Sequence, residues 1–239
     1  MFLSLILGAV AGVADIFGGL LLVRSNWEKR YLRYFIALGA GFMMAVALLD
    51  MLPESIHFSP RWAPALVLIG YCAIHLLEHT ITPHFHFGEE THHDEFVHAH
   101  TGYSILAGLA VHALFDGVAI ASGFVLSSSL GWLIFMAIFF HKIPEGFTVA
   151  SVMLASGQSR RAAVISAIVL ATATVLGVLV INFLPSWTHV GLPLSAGVAI
   201  YVAATDLVPE VNREPGIRMA LIFFAGVAIF LLLRMIAPV

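Results

Sequence analysis

Long apolar runs decide what this chain can fold into. A helix needs about 20 predominantly apolar residues to cross the hydrocarbon core of a bilayer, and eight runs of that length follow one another along the 239 residues. The sequence therefore predicts an all-α integral membrane protein, a single transmembrane domain over residues 1–239 with eight transmembrane helices. The predicted helices are 2–23, 34–52, 63–80, 103–126, 131–154, 162–184, 191–209 and 217–236.

Composition excludes several classes of protein. The chain is 60% hydrophobic and 10% charged, whereas soluble domains are about 45–50% apolar and about 25% charged, so no separate soluble domain is expected. A formal net charge of -3 does not provide the basic surface that a nucleic acid requires. Cys72 is the single cysteine, which excludes an internal disulfide and a multi-cysteine zinc site.

Basic residues predict the orientation in the membrane. The first run lacks a basic segment before it, so we expect it to be a retained helix and not a cleaved signal. With both termini outside, only Arg61 and Arg234 face outward, and the positive-inside rule is satisfied by the inner loops. We expect a multi-pass protein of the plasma (bacterial inner) membrane, with an organelle membrane as the alternative. The predicted inner basic residues are Arg24, Lys29, Arg30, Arg33, Arg160, Arg161, Arg213 and Arg218.

A five-residue pattern occurs twice. Asp50 to Glu54 reads Asp-Met-Leu-Pro-Glu, and Asp206 to Glu210 reads Asp-Leu-Val-Pro-Glu. The predicted helices that carry the two copies run antiparallel, as an inverted repeat of helices 1–3 onto helices 6–8 requires. The alternative is that a Pro-Glu pair ends two helices independently.

The pattern H-x-x-x-[DE]-G also occurs twice, in the fourth and fifth apolar runs. The first copy carries His112 and Asp116, and the second carries His141 and Glu145. Residues four apart share one face of a helix, so two neighbouring helices can direct two imidazoles and two carboxylates at one point. Because carboxylates are costly inside a bilayer, this predicts a divalent metal site. The alternative is a pair of buried hydrogen-bonded contacts between helices.

These features together resemble the ZIP (Zrt-/Irt-like) family of metal transporters along the whole chain. The resemblance implies a 3+2+3 arrangement of the helices and transport of zinc or a related divalent ion toward the cytosol. It also implies metal ligands at His112, Asp116, His141 and Glu145. Two bundles, helices 1, 4, 5 and 6 against helices 2, 3, 7 and 8, are implied as well, and a homodimer is among the expected assemblies.

Two residues depart from the family pattern. The family often binds a second metal through an Asn after the first His and an acid after the second, but Ala113 and Lys142 stand there. The sixth run adds no acidic residue. We therefore expect one metal, with the ammonium group of Lys142 in the second position. The alternative, snorkelling to the interface, requires a reach of about 15 Å, more than a lysine side chain covers.

Further polar residues predict a pathway on either side of this centre. Asp50 and Glu54 are expected to line the outer vestibule, and Asp206 and Glu210 the inner one, as weaker oxygen sites. Asp15 is a further candidate on the first helix.

Histidines crowd the inner end of the third helix and the loop after it, predicted at 81–102. His75, Glu78 and His79 are expected to share one helix face and to receive the departing ion. The loop is expected to bind metal as a histidine-rich tract, with a solvated loop of no metal-binding role as the alternative. Its histidines are His84, His86, His92, His93, His98 and His100.

The sequence thus predicts a transporter, whose metal is a substrate and not a cofactor and whose partners are the ion and the lipid bilayer. Zinc suits two imidazoles and two carboxylates, and Fe2+, Mn2+, Cd2+ and Co2+ accept similar ligands. The alternative is an intramembrane zinc-dependent hydrolase, although the chain has no H-E-x-x-H motif to supply a general base. A histidine-rich metal receptor without transport is the third class.

Overall fold

The computed structural model describes residues 2–24, 29–80, 99–213 and 217–236, which are helical and contain no strand over those ranges. Eight of the helices are long and apolar enough to cross a membrane, which confirms the predicted fold class. We label them α1 (Phe2–Arg24), α2 (29–58), α3 (Ala63–Thr80), α4 (Ala99–Leu126), α5 (Ser128–Ala155), α6 (Arg160–Phe183), α7 (188–212) and α8 (Ile217–Ile236).

Polar residues between the apolar runs fix the ends of the central helices. The side chains of Ser127 and Ser159 cap α5 and α6, each accepting a hydrogen bond from a backbone N–H three residues later. Such caps satisfy amide groups that the helix itself leaves free. At the other end of α5, Gly157 adopts a φ of 77°, and the backbone N–H of Gln158 donates to the carbonyl of Met153. This is a glycine-terminated helix end.

A π-helical turn lies inside α2 and another inside α7, at Ala47–Met51 and Val202–Leu207. Each is followed, after one intervening residue, by a proline, Pro53 or Pro209. A proline normally interrupts a helix because it lacks an N–H and its ring clashes with the carbonyl four residues earlier. The wider π turn shifts the preceding hydrogen bonds to the fifth residue back. The helices therefore continue to 58 and 212, past the predicted ends at 52 and 209.

Four helix pairs make close backbone contact: α1 with α5, α4 with α6, α2 with α8, and α3 with α7. In each pair, one glycine from each helix faces the backbone of the other, and a Cβ there would collide with a carbonyl oxygen. Small residues are what allow helices in a membrane to approach so closely. The glycine pairs are Gly18 and Gly146, Gly117 and Gly177, Gly41 and Gly226, and Gly70 and Gly197.

The pairing follows the order expected of an inverted repeat. In an inverted repeat, helices 1, 2 and 3 correspond to helices 6, 7 and 8, and helix 4 corresponds to helix 5. The pair α1–α5 then corresponds to the pair α6–α4, and the pair α2–α8 corresponds to the pair α7–α3. The two π turns also exchange under this operation. Packing thus extends the repeat that the Asp-x-x-Pro-Glu pattern indicates.

The helix α5 lies at the centre of the molecule, and α3 and α8 lie at its edge. In the most apolar window of α5, 78% of the residues are buried, against 17% in α3 and in α8. Large apolar side chains such as Leu68 of α3 and Phe224 of α8 are exposed, as expected of a surface that meets lipid. The histidine and glutamate of the second H-x-x-x-[DE]-G copy are therefore carried by the most enclosed helix.

Candidate metal centre

The two H-x-x-x-[DE]-G copies meet between α4 and α5. Each of His112, Asp116, His141 and Glu145 is buried, and each offers one ligand atom within 4.8 Å of the other three. Over the residues that the structure describes, no other group of three or more histidine, cysteine or acidic side chains converges in this way. The motifs are brought together as their spacing predicts, whereas their role as metal ligands remains a prediction.

Asp116 is the common neighbour within this cluster. Its Oδ2 atom lies 3.3 Å from Nε2 of His112 and 3.3 Å from Nε2 of His141. Nε2 of His141 lies 3.9 Å from Oε2 of Glu145. Two nitrogens and two oxygens thus surround one small volume.

The backbone of α5 fixes which nitrogen of His141 carries a proton. Nδ1 lies 3.0 Å from the carbonyl oxygen of Ala137, and since a carbonyl only accepts, Nδ1 must donate. In the neutral imidazole Nε2 then keeps its lone pair and faces the cluster. A hydrogen bond of this kind orients histidines that bind metals.

Several buried polar atoms in the cluster have no hydrogen-bond partner among the described residues. They include both ring nitrogens of His112 and Oε1 of Glu145. Buried polar atoms are nearly always paired with protein or with a bound species. The donor set therefore suits a cation that accepts nitrogen and oxygen ligands.

Lys142 lies inside the cluster and not at the membrane surface. Its side chain is 0% exposed, and Nζ lies 2.6 Å from Oε2 of Glu145 and 2.9 Å from Oδ2 of Asp116. A third carboxylate, Asp15 of α1, lies 3.5 Å from Nζ. This contact depends on the packing of α1 against α5, and the one sequence signal for it is the single acid within the first apolar run.

A small cavity reaches Asp116 from the predicted outer side. It is bounded by Met43 and Val46 of α2 and by Ala199 of α7. The cavity therefore lies where helices of the two expected bundles meet, next to Asp116, which at 5% is the most exposed of the four cluster residues.

The outer pathway residues lie near the end of α2. Asp50 is buried on the π turn, and Glu54 is half-buried one turn later. Oδ1 of Asp50 lies 2.9 Å from Nε of Arg234 at the end of α8. The sequence does not predict this ion pair, because nothing in the local pattern relates the two helix ends.

The inner pathway residues lie near the ends of α3 and α7. Asp206 is buried on the second π turn and accepts a hydrogen bond from the hydroxyl of Thr205. The hydroxyl of Tyr201 donates to Glu78 over 2.7 Å, a contact that the sequence does not predict.

The histidines of the inner end are only partly described. The rings of His75 and His79 lie 4.0 Å apart on one face of α3, as their spacing predicts. Glu210 and His100 lie in helices, but their side chains are outside the described residues, as are the whole of His84, His86, His92, His93 and His98. The helix α4 begins at Ala99, within the predicted loop.

Comparison with known families gives a match along almost the whole chain. The profile described as ZIP Zinc transporter matches residues 1–106 and 98–234. The match includes both H-x-x-x-[DE]-G copies and every described helix except the last two residues of α8.

Individual proteins give weaker but consistent similarities. Zinc transporter YKE4 of Saccharomyces cerevisiae is 23% identical over 212 residues, which cover 75% of this chain and 61% of that protein. Zinc transporter ZIP9-A of Xenopus laevis is 25% identical over 248 residues, 81% of this chain and 80% of that protein. Zinc transporter SLC39A7 of Mus musculus is 28% identical over 151 residues, 56% of this chain and 31% of that protein. The chain thus spans less than two thirds of the yeast and mouse relatives.

Proposed function

Because this chain belongs to the ZIP zinc transporter family, we propose that it carries a divalent metal ion, zinc above all, across a membrane toward the cytosol. The observation that carries the proposal is the buried cluster of His112, Asp116, His141 and Glu145. Charged groups inside a bilayer are costly unless they are paired or serve transport, and two of the four residues lie on α5, the most enclosed helix.

The donor set supports zinc as the substrate. Zinc accepts imidazole nitrogen and carboxylate oxygen in a four-coordinate geometry. Fe2+, Mn2+, Cd2+ and Co2+ accept similar donors, so selectivity must be measured by competition. We propose a single metal here, with Lys142 in the position of a second one, since the ammonium group contacts the carboxylates of both motifs.

The pathway we propose runs from Asp50 and Glu54 outside to Asp206 and Glu210 inside. Carboxylate oxygens alone bind divalent ions more weakly than a desolvated site that adds imidazoles. The ion would pass from the inner carboxylates to His75, Glu78 and His79 at the end of α3, and then to the histidine-rich loop.

Transport is favoured over an intramembrane hydrolase. The matched family and the relatives are named as zinc transporters. A hydrolase also needs an open coordination position and a base to activate water, and both carboxylates of the motifs are needed as ligands.

The assembly and the membrane are proposals of the same kind. We propose a homodimer in the plasma or bacterial inner membrane, with an organelle membrane as the alternative. The two edge helices, α3 and α8, have the apolar area for contact with lipid or with a second copy. Native mass spectrometry from lipid nanodiscs measures the copy number directly.

Zinc flux into sealed proteoliposomes tests the function. A dye inside the vesicles reports arriving zinc, and we expect uptake by the wild-type protein. His112→Ala removes one proposed ligand and should reduce the initial rate by at least about tenfold. His189→Ala is the matched control, because this histidine is exposed at the start of α7 and far along the chain from the motifs.

Two results would contradict the proposal. One is the absence of zinc uptake by folded wild-type protein in vesicles of either lipid composition tested, anionic or neutral. The other is an equal rate for His112→Ala and His189→Ala. Hydrolysis of a lipid or peptide without zinc flux would move the protein to the alternative class.

A further inference from the structure

The ammonium group of Lys142 has carboxylate neighbours on three different helices. Glu145 lies on its own helix, Asp116 on α4, and Asp15 on α1, at 2.6, 2.9 and 3.5 Å from Nζ. Lys142 and Asp15 are both 0% exposed. Asp15 does not belong to the four-ligand cluster.

The ammonium group of Lys142 contacts the same carboxylate oxygens that a bound metal would need. Oδ2 of Asp116 faces both imidazoles at 3.3 Å and also faces Nζ. Oε2 of Glu145 is likewise the atom that accepts the hydrogen bond of Lys142. A zinc ion binds carboxylate oxygen at about 2 Å, so an ion in the cluster would lie beside the ammonium group and would repel it.

Asp15 offers the ammonium group another position. Neither of its carboxylate oxygens accepts a hydrogen bond from any described residue, and both are buried. A buried carboxylate without a hydrogen bond is costly, so a shift of Nζ from 3.5 Å to hydrogen-bonding distance of Asp15 would satisfy it. The oxygens of Asp116 and Glu145 would be freed by the same movement.

Helix packing holds Asp15 at this place. The backbone carbonyl of Asp15 faces Gly146, where a Cβ would collide with it, and Gly18 faces the carbonyl of Ile143 in the same manner. The distance between α1 and α5 is thus set by backbone contact beside Glu145. Asp15 is fixed by the bundle and not by a loop.

The summed charge of Lys142 and its three carboxylate neighbours can be compared with the charge of a divalent ion. If Asp15, Asp116 and Glu145 are all ionised, Lys142 is charged and both histidines are neutral, the sum is -2, which a divalent ion neutralises. Without Asp15 the sum is -1. Buried ion clusters are stable only when their charges are compensated and hydrogen-bonded.

We propose that Asp15 is a positioning residue of the metal centre, which receives the ammonium group of Lys142 when the metal binds to Asp116 and Glu145. The inference rests on the proposed function. In this proposal α1 affects the affinity for metal through Asp15, although Asp15 is not itself a ligand.

The test is equilibrium binding of Zn2+ to the purified full chain, by calorimetry, together with flux in proteoliposomes. Asp15→Asn should weaken binding by at least about tenfold, because Lys142 then stays on the ligand oxygens. Adding Lys142→Met to that variant removes the competing cation and returns the sum to -2, so binding should recover to within about threefold of wild type. Asp15→Glu should bind nearly as the wild type does.

A spectroscopic measurement separates positioning from ligation. The visible absorption of bound Co2+ reports its ligands, so its wavelength and intensity should be unchanged in Asp15→Asn at saturating cobalt. Ser122→Ala is the control, since it removes a buried hydroxyl without a hydrogen-bond partner among described residues, six residues beyond Asp116 on α4. Its zinc affinity should equal that of wild type.

The outcomes separate the two levels of the proposal. If wild-type protein neither binds nor transports zinc, the proposed function fails. If it does both, and Asp15→Asn binds zinc as tightly as wild type or the double variant stays as weak as the single one, only the role of Asp15 is overturned. If Asp15→Asn does not fold, the double variant carries the test, and zinc binding more than about tenfold weaker than wild type overturns the inference.

Discussion

Of the four proposed ligands, Asp116 has the most nitrogen and ammonium neighbours in the centre. One of its oxygens faces two imidazoles and the ammonium group, whereas the corresponding oxygen of Glu145 faces His141 at 3.9 Å and Lys142. The two acids stand at equivalent positions of the repeated motif, but their surroundings differ because Lys142 has Ala113 as its counterpart. Equal motif positions therefore do not imply equal energetic roles.

We expect Asp116→Asn to weaken zinc binding more than Glu145→Gln does. Each amide keeps the shape of the side chain and removes its charge, but at Asp116 the lost charge was shared by three nitrogens. Each variant should lose at least about tenfold in affinity, measured by calorimetry with Zn2+. A larger loss for Glu145→Gln would contradict the central position of Asp116.

The sequence predicts much of the centre at this scale and misses part of it. Spacing of four residues places His112 beside Asp116 and His141 beside Glu145 without any knowledge of the fold. It also brings Lys142 close to Glu145. The contact with Asp15 depends on the position of α1 along α5. The backbone contact of Asp15 with Gly146 determines that position, and no local sequence pattern predicts it.

The length of the apolar runs predicts that the helices exist, but it does not predict their local shape. Eight apolar runs predict eight spanning helices because a run of about 20 residues has the length of a spanning helix, and a helix satisfies its backbone hydrogen bonds within its own segment. The π turns that carry Asp50 and Asp206 are not predicted, because a proline after an acid reads equally well as the end of a helix. The structure instead accommodates Pro53 and Pro209 by the wider turn before them.

Glycine contacts between helices predict where the fold tolerates no added volume. Gly226 of α8 faces the carbonyl of Leu38 of α2, whereas the neighbouring Ala225 is exposed. We expect Gly226→Val to destabilise the protein by about 1–3 kcal/mol, seen as a lower midpoint of thermal unfolding in detergent. Ala225→Val adds volume one residue away and should leave the midpoint unchanged. Equal midpoints for the two variants would contradict this packing.

Across the whole molecule, the two ends of the repeat differ in charge. Arg234 follows Gly226 by eight residues, and Glu78 follows Gly70 by eight, so the two side chains stand at equivalent ends of α8 and α3. Asp50 is therefore paired with a cation at the predicted outer end. At the predicted inner end, the acid Glu78 takes the position equivalent to that of Arg234, and the hydroxyl of Tyr201 donates a hydrogen bond to it.

This asymmetry predicts competition at the predicted outer vestibule. The guanidinium group of Arg234 and an arriving metal ion need the same carboxylate, Asp50, whose side chain is 1% exposed while that of Arg234 is 42% exposed. Arg234→Gln frees the carboxylate, so we expect the KM for zinc uptake to fall two- to fivefold. This corresponds to about 0.4–1 kcal/mol, the range of a partly exposed ion pair.

The measurement is the initial rate of zinc uptake as a function of outside zinc concentration in proteoliposomes. Arg61→Gln is the matched control, because Arg61 is also predicted at the outer surface but lies over the ring of Trp62, and no acid of the described residues forms an ion pair with it. Its KM should equal that of wild type. Adding Asp50→Asn to Arg234→Gln removes the freed carboxylate, so the KM should rise again. An unchanged KM in Arg234→Gln would mean that Asp50 takes no part in collecting the ion, and the outer pathway would then have to depend on Glu54 alone.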